Sequence, residues 1–115
     1  MTNFVKVKIE ITDEMIDDIL AGCFEGGSNY WIDEVEIKRL GDNGNYYGLA
    51  STQITRYGLI LIHSDGESNS LYKRKFLKGC QQYANRYGKF EFENFDADDY
   101  DQILQYALFN EIVYG

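Results

Sequence analysis

The clearest pattern of apolar positions lies near the end of the sequence and predicts a helix. Asp96 is expected to cap it, because its carboxylate can accept the free backbone N–H groups of the first turn. Asp98, Asp99 and Asp101 follow where the helix dipole favours negative charge. Tyr106, Phe109 and Tyr114 predict that this end docks on the body rather than frays. The apolar stripe comprises Tyr100, Ile103, Leu104, Ala107, Leu108 and Ile112.

Two further segments carry helical stripes, residues 12–27 and 70–88. Thr12 and Ser70 are the expected N-caps. Glycines are expected to end both helices, since glycine adopts the left-handed conformation of a C-terminal cap at little cost. Each stripe therefore predicts one face packed on a core and one face in water.

Alternating or compact apolar runs predict five strands, and turn residues separate them. Asn43-Gly44 is typical of a hairpin, and residues 64–70 are expected to form a polar loop. The element order is then β-α-β-β-β-α-β-α. We predict a single domain over residues 1–115, of the α+β class, with two layers: a mostly antiparallel sheet and about three helices packed on one face. The expected strands cover residues 4–11, 46–54, 59–63 and 89–93, together with residues 28–40, which start with a turn and become a strand.

Composition indicates a globular protein with an uneven charge. The hydrophobic fraction is 44% and the formal net charge is −8. Residues 56–90 have a net charge of +5, whereas residues 91–115 carry seven acidic and no basic side chains. This asymmetry favours a dipolar surface or pairing into a homo-oligomer, and it disfavours general nucleic-acid binding.

The expected location is the cytoplasm. The sequence has no apolar run long enough to cross a membrane, and its first residues lack the pattern of a signal peptide. Cys23 and Cys80 both fall on apolar helix stripes, so we expect buried, reduced thiols rather than a disulfide.

Acidic side chains are the first candidate for a binding surface. As a functional hypothesis, an exposed ridge of carboxylates imitates DNA phosphates and binds a basic partner. The competing interpretation is that the acidic residues near Asp96 cap a solvated helix start and that those of the first helix form an ordinary solvent-exposed face. The candidate partner-binding residues are Glu91, Glu93, Asp96, Asp98, Asp99 and Asp101, together with Asp13, Glu14, Asp17 and Asp18.

Aromatic and basic side chains offer an alternative ligand site. Tyr30 and Trp31, with Arg56, could line a pocket for a small ligand or a nucleotide signal. The competing interpretation makes Tyr30 and Trp31 an aromatic anchor after a helix stop. Likewise, the basic face of residues 73–78 could contact phosphate or an acidic partner, or could simply be solvated.

Enzyme chemistry, cofactors and metals are not predicted. His63 is the single histidine and ends a buried-looking strand, which is typical of a structural residue. Neither cysteine has a reactive context, and no ligand spacing typical of a metal site occurs. A calcium loop starting at Asp96 lacks the glycine and the final glutamate that it requires.

Two motifs carry a resemblance to known proteins. Residues 24–31 contain Glu25-Gly26-Gly27 followed by Tyr30-Trp31, and residues 96–115 form a second motif that ends in Tyr114-Gly115. Together they resemble a group of small hypothetical proteins encoded by phages and mobile elements of Firmicutes-type bacteria. Asn110 stands where that group often has glycine.

The resemblance implies a phage or prophage accessory protein. Small acidic proteins of this kind often inhibit a host enzyme or defence complex, with anti-CRISPR proteins as the best known class. The expected partner is then a host protein such as a CRISPR-associated nuclease, with no direct contact to nucleic acid or membrane. A small-ligand or nucleotide-binding protein, and a structural or assembly protein, stay open as alternatives.

Overall fold

A computed structural model describes residues 2–37 and 49–115 of the chain. A π-helical turn at Cys23–Gly27 extends the first helix, and 3-10 turns lie at Ala50–Thr52 and Phe92–Asn94. The helices and strands of the described residues are α1 (Asp13–Gly22), β1 (Glu34–Ile37), α2 (Gln53–Arg56), β2 (Ile60–Ser64), β3 (Glu67–Leu71), α3 (Lys73–Tyr87) and α4 (Ala97–Phe109).

The three strands form one antiparallel sheet in the order β1-β2-β3. Ile60 and Ile62 of β2 are fully buried on one face, and they join Phe76 of α3 and Ile103 of α4 in the hydrophobic core. Since β2 alternates between buried and half-buried residues, the helices cover one face of the sheet. The predicted two-layer α+β architecture with an antiparallel sheet is confirmed.

Helices α3 and α4 pack most closely at Gly79. A methyl group added there would lie 2.6 Å from the carbonyl oxygen of Ile103 and 2.7 Å from the Ala107 side chain. The two backbones therefore approach through the space that a side chain would fill. Phe76 and Leu104 are fully buried, so apolar burial continues along this pair of helices.

Most predicted helix caps are confirmed. Thr12 accepts a 3.1 Å hydrogen bond from the Met15 backbone N–H. Asp96 forms a capping box with Asp99 at the start of α4. Asn110 ends α4 at φ 62°, a left-handed conformation that glycine adopts freely and asparagine tolerates. This geometry explains how asparagine can stand at a position where glycine was expected.

Residues 4–11 do not form the predicted strand. They have no secondary structure, and the side chains of residues 2–10 are all exposed. Alternation alone does not make a strand, because a strand also needs a neighbour with which it exchanges backbone hydrogen bonds. Among the described residues, no strand pairs with this segment.

Two other expected strands are also wrong where the structure describes them. Residues 50–56 form a 3-10 turn and α2 instead of a strand. Residues 89–93 do not form a strand either, because Phe92 and Glu93 begin a 3-10 turn and the Phe90 ring makes an edge contact with Tyr83 of α3. The predicted Asn43-Gly44 turn, and the parts of expected strands within 38–48, lie outside the described residues.

The loop predicted for residues 64–70 is a hairpin. Asp65 and Gly66 have φ values of 50° and 77°, so both central residues of the turn between β2 and β3 are left-handed. The polar residues that follow pair with β2 up to Leu71. Ser70 consequently lies in a strand, and Tyr72 occupies the N-cap of α3 without a side-chain bond.

Candidate functional site

Asp101 is the centre of a buried hydrogen-bond network that joins the two sequence motifs. Its side chain is 4% exposed. The Ser28 hydroxyl and the Trp31 indole N–H each donate to Oδ1 at 2.7 Å. The Tyr30 hydroxyl donates to Oδ2 at 2.6 Å, and the Gln105 amide donates to Oδ2 at 3.0 Å. Four donors thus occupy the lone-pair sites of one carboxylate.

The π-helical turn brings these donors to α4. The Ser28 backbone N–H donates to the Cys23 carbonyl at 2.9 Å, which closes the turn and aims the Ser28 hydroxyl at α4. Gly27 lies against the first turn of α4, where an added methyl group would be 2.8 Å from the Ala97 carbonyl oxygen. The glycine of the first motif therefore permits close contact with the start of the second.

Gln105 attaches the segment after α4 to the same network. It is fully buried, and its Oε1 accepts 2.8 Å hydrogen bonds from the backbone N–H groups of Val113 and Tyr114. The Tyr114 ring then stacks on Trp31 with centroids 4.9 Å apart and planes 5° apart. Its hydroxyl donates to Asp65 at 2.7 Å. The expected docking of this end is confirmed.

The network also affects the acidity of the Tyr30 phenol. Partial desolvation, followed by the hydrogen bond to Asp101 and its negative charge, raises the pKa of Tyr30 to about 12. The Tyr30 proton is consequently held on the phenol and points at Asp101. Each carboxylate oxygen of Asp101 already accepts two hydrogen bonds. The arrangement therefore favours a rigid structural contact over proton transfer to a substrate.

Sequence reasoning placed Asp101 wrongly and missed Ser28 and Gln105. Asp101 was expected on an exposed acidic ridge, but its side chain points into the molecule because it has four internal donors. A signal was present, since positions 101 and 105 are one helical turn apart and lie beside the apolar stripe of α4. A carboxylate and an amide that are one helical turn apart and buried are expected to join the same hydrogen-bond network.

Asp96 and Asp99 are used in capping. Oδ1 of Asp96 accepts from the backbone N–H of Asp98 at 3.0 Å, and Oδ2 of Asp99 accepts from that of Asp96 at 3.0 Å. Tyr83 also donates to Asp99 at 2.5 Å. Desolvation acts to raise the pKa of Asp99, but the hydrogen bonds from Tyr83 and Asp96 outweigh it and lower that pKa.

The other expected partner-binding residues fall into two groups, and in the second group Asp98 accepts a 2.8 Å hydrogen bond from the Gln102 amide. Asp13 pairs with Lys73 at 2.8 Å, Asp17 accepts from Thr55 at 2.7 Å, and Glu91 lies 3.9 Å from Lys89. Four carboxylates are exposed and form no ion pair within the described residues. We call these four the acidic surface: Glu14, Asp18, Glu93 and Asp98.

Three residues of the acidic surface lie on two helices that are in contact, Glu14 and Asp18 on α1 and Asp98 on α4. Glu93 lies on the 3-10 turn that precedes α4. Asp18 precedes Gly22 by one helical turn and shares its side of α1. A methyl group added at Gly22 would overlap the Tyr100 ring, so this side of α1 packs on the first turns of α4. The ten expected residues thus do not form a single ridge, but Glu14, Asp18 and Asp98 lie on two helices that pack together.

The alternative ligand residues Tyr30, Trp31 and Arg56 do not offer an open aromatic pocket. Trp31 is 6% exposed, its ring is stacked on Tyr114, and the edge contact with Phe109 spans 5.6 Å between centroids. Its N–H already donates to Asp101. Tyr30 is exposed at its ring but bonded at its hydroxyl, and Arg56 is exposed at the end of α2.

A separate open cleft of 430 Å³ lies between the basic start of α3 and the end of α4. The Lys75 ammonium group donates to the Ser70 carbonyl at 2.9 Å, and burial lowers its pKa. Arg74 and Lys78 are thus better placed than Lys75 to bind a ligand in this cleft. The cleft is lined by Tyr72, Arg74, Lys75, Lys78, Ala107, Leu108 and Asn110.

The contacts of His63 and the burial of the two cysteines are typical of residues with a structural role. Nδ1 of His63 lies 2.7 Å from the Ser68 hydroxyl, and its Nε2 lies 3.7 Å from Glu36. Cys23 and Cys80 are both buried and free, as expected. Over the part of the chain that the structure covers, no group of three or more histidine, cysteine, aspartate or glutamate residues is arranged to hold a metal ion.

Comparisons with protein-family models, curated proteins and solved structures gave no match to this chain. Within the described residues, no helix combines the length and the apolar character needed to cross a membrane.

Proposed function

We propose that the protein is a non-enzymatic inhibitor that binds a host protein through its acidic surface. One observation carries the proposal. Two segments without lysine or arginine, residues 9–37 and 90–115, hold nine and seven acidic side chains, which is sixteen of the nineteen in the chain. These segments pack against each other through α1, the π-helical turn and α4.

Such a charge distribution supports binding to a basic partner. Carboxylates on neighbouring elements add their fields, which speeds encounter with a positively charged surface and makes the binding sensitive to salt. Proteins that hold DNA present such surfaces, because they neutralise phosphates with lysine and arginine. The Asp101 network supports the same role, since it fixes the two acidic segments relative to each other without a cofactor.

The resemblance to phage and mobile-element proteins supplies the biological setting of the proposal. An acidic phage protein that occupies a DNA-binding channel acts as an inhibitor of a host defence complex, of the anti-CRISPR type, in the host cytoplasm. The proposed partner is accordingly a CRISPR-associated nuclease, which the acidic surface would bind as a DNA mimic.

The test is inhibition of DNA cleavage by a purified, guide-loaded CRISPR-associated nuclease. The wild-type protein is compared with a double charge reversal on the acidic surface, Asp18→Lys with Asp98→Lys. The matched control reverses two exposed acids elsewhere, Glu67→Lys with Glu111→Lys, so both variants carry the same net charge. Asp99 is left intact because it caps α4 and accepts from Tyr83.

We expect the wild-type protein and the control to inhibit cleavage and the surface variant to fail. Inhibition by the wild-type protein should also weaken at about 0.5 M salt, where the Debye length is roughly half its value at about 0.1 M. Equal inhibition by both variants would refute the acidic surface as the binding site. Absence of inhibition by the wild-type protein would remove the nuclease as the partner.

The basic cleft favours a second candidate function, the sequestration of an anionic ligand such as a nucleotide. Arg74 and Lys78 line it beside the exposed ring of Tyr72, a combination that suits a phosphate and a base. A thermal-shift panel of nucleotides and inorganic phosphate tests this function. Stabilisation by a nucleotide that Arg74→Ala abolishes would support it, and an unchanged melting temperature across the panel would count against it.

A further inference from the structure

Residues 4–11, which we call the arm, have the alternation of a strand but are open to solvent. Phe4 and Val5 are each 88% exposed, and Val7 is 77% exposed. No backbone hydrogen bond joins residues 2–11 to another described residue. A segment with this exposure offers both its backbone groups and its apolar side chains to a partner.

The apolar face of the arm leads into the core of its own chain. Ile11 is half-buried and packs against the hydrophobic core, immediately before Thr12, the N-cap of α1. Because side chains alternate across a strand, the apolar residues at odd positions would share the face of Ile11 when the arm pairs. These residues are Val5, Val7 and Ile9, and the other face would carry Lys6, Lys8 and Glu10.

The charges of the arm select one way in which two arms can pair. In an antiparallel pair centred on Ile9, Lys8 of each copy is opposite Glu10 of the other, so opposite charges meet at both contacts. Centring the pair on Lys8 would place the two Lys8 side chains together, and centring it on Val7 would place Lys6 against Lys8. A parallel pair in register would place every charge opposite its own copy. Since like charges directly opposite each other oppose pairing, the register centred on Ile9 is favoured.

The same register also matches the apolar faces. Ile9 lies opposite Ile9 of the second copy, and Val7 lies opposite Ile11, which already packs on the core of its chain. A shift by one residue would instead place apolar side chains against charged ones. Beyond these pairs, Lys6 of one copy lies opposite Thr12 of the other, beside the acidic first turn of α1. The arm is therefore complementary to a second copy of itself on both faces.

We propose that the arms of two copies pair as antiparallel strands about a two-fold axis at Ile9 and so form a symmetric dimer. Main-chain hydrogen bonds supply affinity, and the two contacts between Lys8 and Glu10 set the register. Two paired strands alone are marginally stable in water, so the contact of Val7 with Ile11 at the edge of each core adds the necessary apolar burial. The assembly is closed, because each copy contributes the same surface.

The test exchanges the two charges separately and together, and it measures mass by sedimentation over a concentration series. Lys8→Glu and Glu10→Lys each place like charges at both contacts, so each should raise the dissociation constant of the dimer about thirtyfold. The double variant Lys8→Glu with Glu10→Lys restores opposite charges and should dimerise like the wild type. A one-to-one mixture of the two single variants should also dimerise, for the same reason.

Net charge is controlled within this set of variants. The single variants change the net charge in opposite directions, and the double variant has the composition of the wild type, so a general charge effect would not reproduce the expected pattern. Thermal melting shows that each variant is folded. A monomeric wild type, single variants that dimerise like the wild type, or a double variant that stays monomeric would each overturn the proposal.

A cysteine at the proposed axis tests the register directly. Ile9→Cys would place the two thiols opposite each other and within reach of a disulfide, whereas Lys6→Cys would separate them by about 20 Å along the strands. Cys23 and Cys80 are buried and do not compete. Under mild oxidation we expect a linked dimer for Ile9→Cys and far less linkage for Lys6→Cys. Equal linkage of the two variants, or no linked Ile9→Cys dimer, would contradict pairing about Ile9.

Discussion

The indole N–H of Trp31 donates a 2.7 Å hydrogen bond to a carboxylate oxygen of Asp101, seventy residues further along the chain. This bond joins the segment after α1 to the middle of α4, and both side chains are buried. The chain therefore has a polar anchor inside an otherwise apolar contact. Such an anchor specifies one arrangement, since a buried carboxylate is stable only where its donors meet it.

Replacing Asp101 by asparagine is expected to lower the free energy of unfolding by about 3 kcal/mol. The NH2 group of asparagine would replace a carboxylate oxygen and would face hydrogen-bond donors, because all four current partners of Asp101 donate to it. Urea unfolding followed by fluorescence of Trp31, the single tryptophan, measures the loss. The exposed control Asp98→Asn should lose less than about 1 kcal/mol. Equal losses for the two variants would contradict the anchoring role.

The three long helices α1, α3 and α4 could be predicted from the sequence because their determinants are local, whereas the four-residue α2 was expected to be a strand. Asp96 caps α4 and Thr12 caps α1 through atoms within three residues, so spacing alone is informative. The strands depend on partners that are distant in sequence. The segment at residues 4–11 has the right alternation but no neighbouring strand among the described residues, whereas β3 is largely polar and pairs because the Asp65-Gly66 turn sets its register.

The candidate site could be predicted only in part, for a related reason. The two motifs were recognised as separate stretches, but their contact at Asp101 depends on the tertiary packing of α4 against the π-helical turn. A helix start rich in aspartate is normally solvated, and periodicity alone does not distinguish Asp98 from Asp101. The position of Gln105 one turn later was the available indication, since both lie beside the apolar stripe.

Gly79→Ala is expected to destabilise the protein by about 2 kcal/mol, although alanine is the better helix former. The added methyl group would lie 2.6 Å from the Ile103 carbonyl oxygen, so α3 and α4 would have to separate. Thermal and urea unfolding measure the change. The neighbouring exposed control Lys78→Ala should change stability by less than about 0.5 kcal/mol. A gain in stability for Gly79→Ala would show that α4 can move without cost.

Cys23 and Cys80 are expected to resist thiol reagents in the folded protein. Desolvation raises the pKa of both thiols, to about 12 for Cys80, so the reactive thiolate is scarce at neutral pH. Labelling with a chromogenic disulfide should be slow in buffer and should reach two thiols per chain in urea. The extent of labelling is also measured under stabilising conditions, as a control for labelling through local opening of the fold. Fast reaction of either thiol in the native state would contradict its burial.

The hydrogen bond from Tyr30 to Asp101 predicts a loss of stability at alkaline pH. Folding raises the pKa of the Tyr30 phenol from 10.0 to about 12. A raised pKa means that the bond contributes fully below the unfolded value and that its contribution is lost as pH rises through the folded value. Between these limits the unfolded chain releases the phenolic proton while the folded chain retains it, so unfolding becomes more favourable.

The measurement compares wild type with Tyr30→Phe, which keeps the ring and removes the hydroxyl. Urea unfolding should show a constant difference in stability between about pH 7 and about pH 9, where the phenol is protonated in both states. The difference should then shrink as pH rises from 10.0 toward about 12. The other tyrosines titrate in both proteins and cancel in the comparison. A difference that is the same across the whole range would mean that the phenolic proton is not held by Asp101.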